Sequence, residues 1–190
     1  LAEENGYLSM DYDKMVSLVK ENTEFLEYVH IFDDLEISDY YKTDTHWRQE
    51  KISDVAEKIA AAMGTDIKAE YEEKTLDNDF YGVYYGQSAL PLQPEKIKYL
   101  VNDTLENCKV YDHQNGKEIS VYDMEKAYGK DPYEMFLGGS LSLITLENEK
   151  AKTDKELIIF RDSFGSAIAP LFVEGYRKVT VVDIRYIHPN

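Results

Sequence analysis

Asp44, His46 and Ser163 are the residues of this chain whose types could together carry nucleophilic chemistry. A serine hydroxyl attacks an ester when a base takes its proton, and the base works best when a carboxylate holds its other ring nitrogen. Asp44 and His46 stand two residues apart in Asp44-Thr45-His46-Trp47. In an extended loop that spacing points both side chains the same way. Trp47 could then wall the site against water. The plainer alternative is that His46 caps or packs against the following helix and Asp44 is a solvated loop acid. A metal role is weaker: Asp44 and His46 offer two ligands, but His30, His113 and His188 show no ligand spacing. No metal and no cofactor is expected.

Ser163 lies in Arg161-Asp162-Ser163-Phe164-Gly165, directly after the apolar run Leu157-Ile158-Ile159-Phe160. The run reads as a strand buried on both faces, and Ser163 to Phe172 as a helix. Ligands of open parallel sheets bind beyond the carboxyl ends of the strands, where a helix N-terminus also presents unpaired N–H groups. Both features favour an alkoxide or oxyanion at Ser163. Gly165 permits close approach of a substrate or a neighbouring element. The alternative is an ordinary N-cap at Asp162 or Ser163. The Gly-x-Ser-x-Gly elbow is absent.

The elements that must position these residues follow from hydrophobic period. Asp11 to Val29 is predicted as a helix from Met15, Leu18, Val19, Phe25, Leu26 and Val29. Ile52, Val55, Ala56, Ile59, Ala60 and Met63 predict a second helix, stopped at Gly64. Residues 68–86, rich in Tyr, Gly and acids, predict short strand and loop. Gln114-Asn115-Gly116-Lys117 between two β-type runs predicts a hairpin with a type I′ turn. Leu141 to Leu146 and Val179 to Val182 predict further strands, the latter also buried. Strand, turn, helix, strand at the C-terminal end makes a βαβ unit and so a parallel sheet.

One good core is within reach of 190 residues, and no linker or repeat divides them, so a single domain over 1–190 is expected. With 37 acidic against 21 basic residues the formal charge is −16, which disfavours nucleic acid and anionic membrane surfaces but not neutral polymers. Cys108, the single cysteine, excludes an internal disulfide and a cysteine-built zinc site. No apolar run approaches the roughly 20 residues of a membrane span. The start Leu1-Ala2-Glu3-Glu4-Asn5 is neither a Met start nor a signal peptide, which suggests an excised or mature fragment. Among the sixteen tyrosines, Tyr81, Tyr84 and Tyr85 near Gly82 and Gly86 could form a sugar-stacking rim, or lie scattered as core and surface residues. Arg161 and Arg185 could meet an anionic substrate, although pairing with the many acids is the expectation.

Tyr40-Tyr41-Lys42-Thr43-Asp44-Thr45-His46-Trp47, followed by an Ala-rich helix, resembles the Asp-x-His-Trp motif of SGNH-hydrolase-like proteins. These include the alginate O-acetylation proteins and the bacterial DHHW family. Asp131 to Gly139, Ile158 to Gly165 and Val182 to Tyr186 look most like DHHW, so the resemblance runs in order from about Tyr40 to Tyr186. Thr45 stands at the second position of the DHHW motif, and Ser140 where the family pattern carries Asn. The resemblance implies an α/β, flavodoxin-like three-layer sandwich with a mainly parallel sheet and a hairpin-bearing insertion at about 68–150. It implies Asp44 as orienting carboxylate, His46 as base and Ser163 as nucleophile. Gly139, Ser140, Trp47 and Arg185 are the oxyanion or substrate candidates. The family continues through another helix and strand, which implies a sheet incomplete at its C-terminal side. Val179–Val182 would then be an edge strand open to self-association. The function implied is hydrolysis or transfer of an acyl group, acetyl foremost, on a cell-surface carbohydrate, in an extracellular or cell-envelope setting. The alternative is a non-catalytic surface module that binds glycan or protein on the same fold.

Overall fold

The computed structural model describes residues 6–88 and 91–187, and the chain divides into two compact units, Leu1–His30 and Ile31–Asn190. In the first, helix α1 (Tyr12–Asn22) is capped by Asp11, whose side chain accepts the Lys14 N–H. It ends well before Val29. Asn22 Nδ2 and Thr23 Oγ1 donate to the Leu18 and Val19 carbonyls and so replace the next turn of helical bonds. Phe25 and Leu26, expected on a packed helical face, are exposed.

The second unit holds the core. Helix α2 (Ser53–Ala62) buries Val55, Ala56 and Ala60. It stops at Gly64, whose φ of +66° and whose N–H to the Ala61 carbonyl close the end as the sequence predicts. Strands β1 (Glu72–Thr75) and β2 (Lys98–Val101) pair antiparallel, with the short helix α3 (Val83–Ser88) between them in sequence. After helix α4 (Asp103–Asn107) come β3 (Lys109–Asp112) and β4 (Lys117–Ile119), the predicted hairpin. Its turn is not type I′: only Gly116 has positive φ, and the Asp112 carboxylate accepts the Gln114 and Asn115 N–H groups to shape a four-residue loop. Helix α5 (Met124–Ala127), β5 (Leu143–Glu147), β6 (Glu156–Phe160), helix α6 (Gly165–Ile168) with a 3-10 continuation Ala169–Glu174, and β7 (Lys178–Val182) complete the unit.

The five-stranded sheet runs β4-β3-β5-β7-β6 and is mixed. Only β6 and β7 are parallel; β3 pairs antiparallel with both β4 and β5, and β5 with β7. The mainly parallel sheet expected from the resemblance is corrected here. A parallel pair needs a crossover of a dozen or so residues, and α6 with its continuation is the one such crossover in this sheet. Val179–Val182 is corrected too: β7 lies inside the sheet, and β6 is the edge on that side. Nor is β6 buried on both faces. Leu157 and Ile159 are half-buried, while Ile158 and Phe160, at 63% and 70% exposure, face outward.

Alternation along the sheet sets one core face. Ile144 faces Val181 and Leu146 faces Val179 across the β5–β7 pair, all essentially inaccessible. They share a core with α2 and with Leu171, Phe172 and Val173 of the 3-10 segment. No described helix is long and apolar enough to cross a membrane.

Candidate active site

The loop that carries His46 is built by closing a short antiparallel turn. Tyr40 and Trp47 bridge, the Tyr41 N–H donates to the His46 carbonyl at 3.1 Å, and the Arg48 N–H to the Asp39 carbonyl at 2.7 Å. Within it the Asp44 carboxylate is 5% exposed and fully engaged. Oδ1 accepts the His46 N–H at 3.0 Å and lies 2.5 Å from His46 Nδ1; Oδ2 accepts the Val83 N–H at 3.0 Å. Burial works against its charge, but the bonds from the His46 ring and from the Val83 and His46 backbone prevail and hold the carboxyl below its usual range. Behind it, Glu95 accepts the Thr43 N–H and hydroxyl at 3.0 and 3.2 Å and pairs with Arg48.

The Gly82–Tyr84 segment presses on this loop. Gly82 N–H donates to Thr43 Oγ1 at 3.1 Å and Tyr84 N–H to the Thr43 carbonyl at 2.9 Å. A Cβ at position 82 would sit 2.3 Å from that carbonyl oxygen. Gly82 is therefore required by proximity, since its φ is ordinary. Tyr84 of this segment and Tyr81 just before it are exposed, and the Tyr81 and Tyr85 rings lie 4.6 Å apart.

The turn that carries Ser163 begins where β6 ends. Asp162 Oδ1 accepts the Phe164 N–H at 3.0 Å, an Asx turn that projects Ser163 from between them. Ser163 Oγ lies 2.9 Å from His46 Nε2. The expected helix from Ser163 to Phe172 is instead this turn, a four-residue α6 and a 3-10 segment. Gly165 meets the root of the Arg161 side chain: a Cβ there would be 2.4 Å from Arg161 Cβ.

Two bonds fix the loops to one another. Trp47 Nε1 donates to the Phe164 carbonyl at 3.0 Å with the two rings edge-on, and the buried Gln49 donates to the Ala167 carbonyl at 2.7 Å. The His46 ring is stacked on Tyr133, centroids 4.1 Å apart at 17°, and tilted against Phe164 at 5.0 Å. Tyr133 is held by its hydroxyl donating to the Trp47 carbonyl at 3.3 Å and by Asp131, which caps residues 132–135.

Of the residues singled out in the sequence, Asp44, His46 and Ser163 are thus in contact, and Trp47 ties the two loops. Gly139 donates its N–H to the Phe136 carbonyl, so that group is engaged within its own turn, while Ser140 is exposed. Leu137, Gly138 and Gly139 all have positive φ, of 53°, 67° and 75°. Arg185 is bound to Asp183 through Nε and NH2 at 2.9 and 2.7 Å, the pairing expected in so acidic a chain. Among the described residues no group of three His, Cys, Asp or Glu is placed to hold a metal ion. Sequence reasoning missed Val83, Gly82 and Tyr133. None carried a local signal for this role; Gly82 stood out only as a glycine set among tyrosines.

No family model and no curated protein matches the chain. Solved structures do. A DHHW family protein from Eubacterium siraeum is similar with a TM-score of 0.66 and 25% identity, over 78% of this chain and 52% of that one. Bacillus cereus PatB1 with a sulfonyl adduct is similar at 0.60 and 21%, over 80% and 54%. A second structure of Bacillus cereus PatB1 is similar at 0.58 and 18%, over 90% and 60%. The chain therefore resembles DHHW proteins in structure as well as in motif. It spans little more than half the length of the solved structures it matches.

Proposed function

We propose that this chain is an SGNH-type acyl-transfer domain in which Ser163 is the nucleophile, His46 the general base and Asp44 the orienting carboxylate. The observation that carries the reading is the continuous chain Asp44 Oδ1–His46 Nδ1 (2.5 Å) and His46 Nε2–Ser163 Oγ (2.9 Å). With Nδ1–H donated to Asp44, Nε2 is left unprotonated and faces the Ser163 hydroxyl. Ser163 Oγ attacks the ester carbonyl as its proton passes to Nε2. Collapse of the tetrahedral adduct breaks the ester bond, and the leaving alcohol takes that proton. Water, or a second hydroxyl, then attacks the acyl-serine and gives its proton to Nε2, which returns it to Ser163 Oγ. Water makes the domain an esterase, and a sugar hydroxyl makes it a transferase.

The substrate class in this reading is an acyl ester, acetyl foremost, on a neutral cell-surface carbohydrate, with the protein outside the cell or in its envelope. The net charge of −16 agrees with a neutral polymer better than with an anionic one. The likeness to PatB1 carrying a sulfonyl adduct is in keeping, because such an adduct forms on a nucleophile.

A fluorophosphonate probe tests the proposal. Wild-type protein is expected to be labelled at one site and Ser163→Ala not at all. Equal labelling of the two, or none in either, would favour the non-catalytic binding module.

A further inference from the structure

Arg161 is a residue that the proposed chemistry leaves without a role, and both of its terminal guanidinium nitrogens are engaged while its buried Nε has no partner among the described residues. Its side chain is 2% exposed and lies 3.5 Å from the fully buried Asp183. NH1 donates to the Asp162 carbonyl at 3.2 Å and to Ser166 Oγ at 2.9 Å. NH2 donates to the Gly139 carbonyl at 2.9 Å and the Leu141 carbonyl at 3.3 Å. One guanidinium therefore grips the peptide just before Ser163, the residue one turn after it, and both sides of Ser140.

The geometry of the peptide group gives this grip a consequence. A trans peptide is planar, with C=O and N–H pointing in opposite directions. The Asp162 carbonyl shares its peptide plane with the Ser163 N–H, and the Gly139 carbonyl with the Ser140 N–H. With both carbonyls fixed on the guanidinium, both N–H groups must point away from it. Neither N–H has a hydrogen-bond partner among the described residues. The same logic already operates two peptides further on, where the Leu141 carbonyl faces Arg161 and the Ser142 N–H turns away to Gln114 Oε1 at 3.1 Å.

We infer that Arg161 is a positioning residue for acyl transfer: it orients the Ser163 and Ser140 peptide groups so that their N–H groups receive the oxyanion formed at the ester carbonyl. The inference rests on the acyl-transfer reading above. It also accounts for Gly165, because any larger residue would displace the root of the Arg161 side chain. Ser140 then contributes through its backbone, so the loss of an Asn side chain at that position does not remove the donor. Lysine cannot replace the clamp, since one ammonium lacks the planar fork that reaches two loops at once.

The test compares wild type, Arg161→Lys and the charge-balanced pair Arg161→Gln with Asp183→Asn, the last measured against Asp183→Asn alone. The pair leaves no unpaired cation in the core and keeps the test alive should Arg161→Lys not fold. Fluorophosphonate labelling to completion counts competent sites, and p-nitrophenyl acetate gives kcat and KM. The expected result is full final labelling, kcat lower by about 10²- to 10³-fold as for loss of an oxyanion donor, and KM within about threefold. The acid limb of the pH–rate profile should stay in place, because no contact of Asp44 or His46 is touched. Unchanged kcat in both variants, or a kcat that falls only in proportion to the labelled fraction, would overturn the inference and leave Arg161 a purely structural residue. Absence of labelling in wild type would instead bring down the acyl-transfer reading, and this inference with it.

Discussion

The two loops that meet at the site are held by opposite chemistry. Around His46 the clamps are anions that accept backbone N–H groups: Asp44 takes those of His46 and Val83, and Glu95 that of Thr43. Around Ser163 the Asx turn of Asp162 is joined by a clamp of opposite sign, a cation that donates to the backbone carbonyls of Asp162, Gly139 and Leu141. Under the proposed chemistry positive charge forms on the imidazole and negative charge at the ester oxygen beside Ser163. Carboxylates near the first and a guanidinium near the second each favour the charge that develops there. The difference between the loops is thus electrostatic as much as structural, and substitutions on either side should separate the two.

Under the proposed chemistry the largest effect is expected from His46. His46→Ala should lower kcat for p-nitrophenyl acetate by about 10⁶-fold, with the thermal melt little changed. Asp44→Asn should cost about 10⁴-fold, since it leaves the ring in place but removes the acceptor that selects its tautomer. Equal losses in the two variants would break the division between base and orienting group.

Steric crowding gives the next test. In Gly82→Ala the new Cβ has only 2.3 Å to the Thr43 carbonyl oxygen and 2.4 Å to Asp44 Cβ, so the segment must shift and draw the Val83 N–H from Asp44. A misplacement of that size should lower kcat by about 10²-fold and stability by about 1–3 kcal/mol. Gly165→Ala is the matched change on the nucleophile side, since it presses on Arg161 rather than on a carbonyl. Wild-type kinetics in Gly82→Ala would show that the base loop tolerates slack and that its anionic clamp matters less than described.

These two glycines also show what a sequence discloses and what it hides. The meeting of Asp44, His46 and Ser163 was legible because nucleophilic chemistry would restrict residue type and spacing, and because Asp-x-His-Trp is a distinctive string. The α2 stop at Gly64 was legible from local backbone preference, and so was the β3–β4 hairpin, though not its turn type. Val83 was invisible, because it contributes only a backbone N–H that nearly any residue owns. Gly82 has no unusual φ, and its need arises from a neighbour 39 residues away. Tyr133 was one tyrosine among sixteen. The direction of the strands escaped for a related reason: an apolar run such as Leu157 to Phe160 gives burial tendency, not pairing or sidedness. In β6 the run turned out to be an edge with one open face.

Tyr133 should yield a smaller effect that depends on its ring and not its hydroxyl. Tyr133→Leu removes the face stacked on His46, a contact of about 0.5–1.5 kcal/mol, and should lower kcat by roughly threefold to tenfold. Tyr133→Phe keeps the stack and loses only the bond to the Trp47 carbonyl. Its kcat should stay near wild type while the stability falls by about 1 kcal/mol. A larger kinetic loss in the phenylalanine variant would mean that the hydroxyl, through Trp47, sets the distance between the two loops.

The smallest effect separates the clamps by pH. Asp44 has its folded carboxyl pKa depressed below the ordinary 3.8 because the His46 ring and two backbone N–H groups outweigh its burial. A depressed carboxyl stabilises the fold fully above the unfolded value, and that contribution disappears as pH falls through the folded value. Arg161, by contrast, keeps its charge throughout, so its direct bonds to the carbonyls survive acidification. Thermal melts of wild type and Asp44→Asn, taken from about pH 6 to pH 2, should therefore differ most at the upper end and converge below the ordinary carboxyl value. Asp183, depressed chiefly by its bond from Arg185, is present in both proteins and cancels in the difference. A gap that stays constant to pH 2 would mean that the ionised form of Asp44 is no better held than the neutral amide. The base loop would then owe its shape to Glu95 and the Gly82–Tyr84 segment instead of to the carboxylate beside His46.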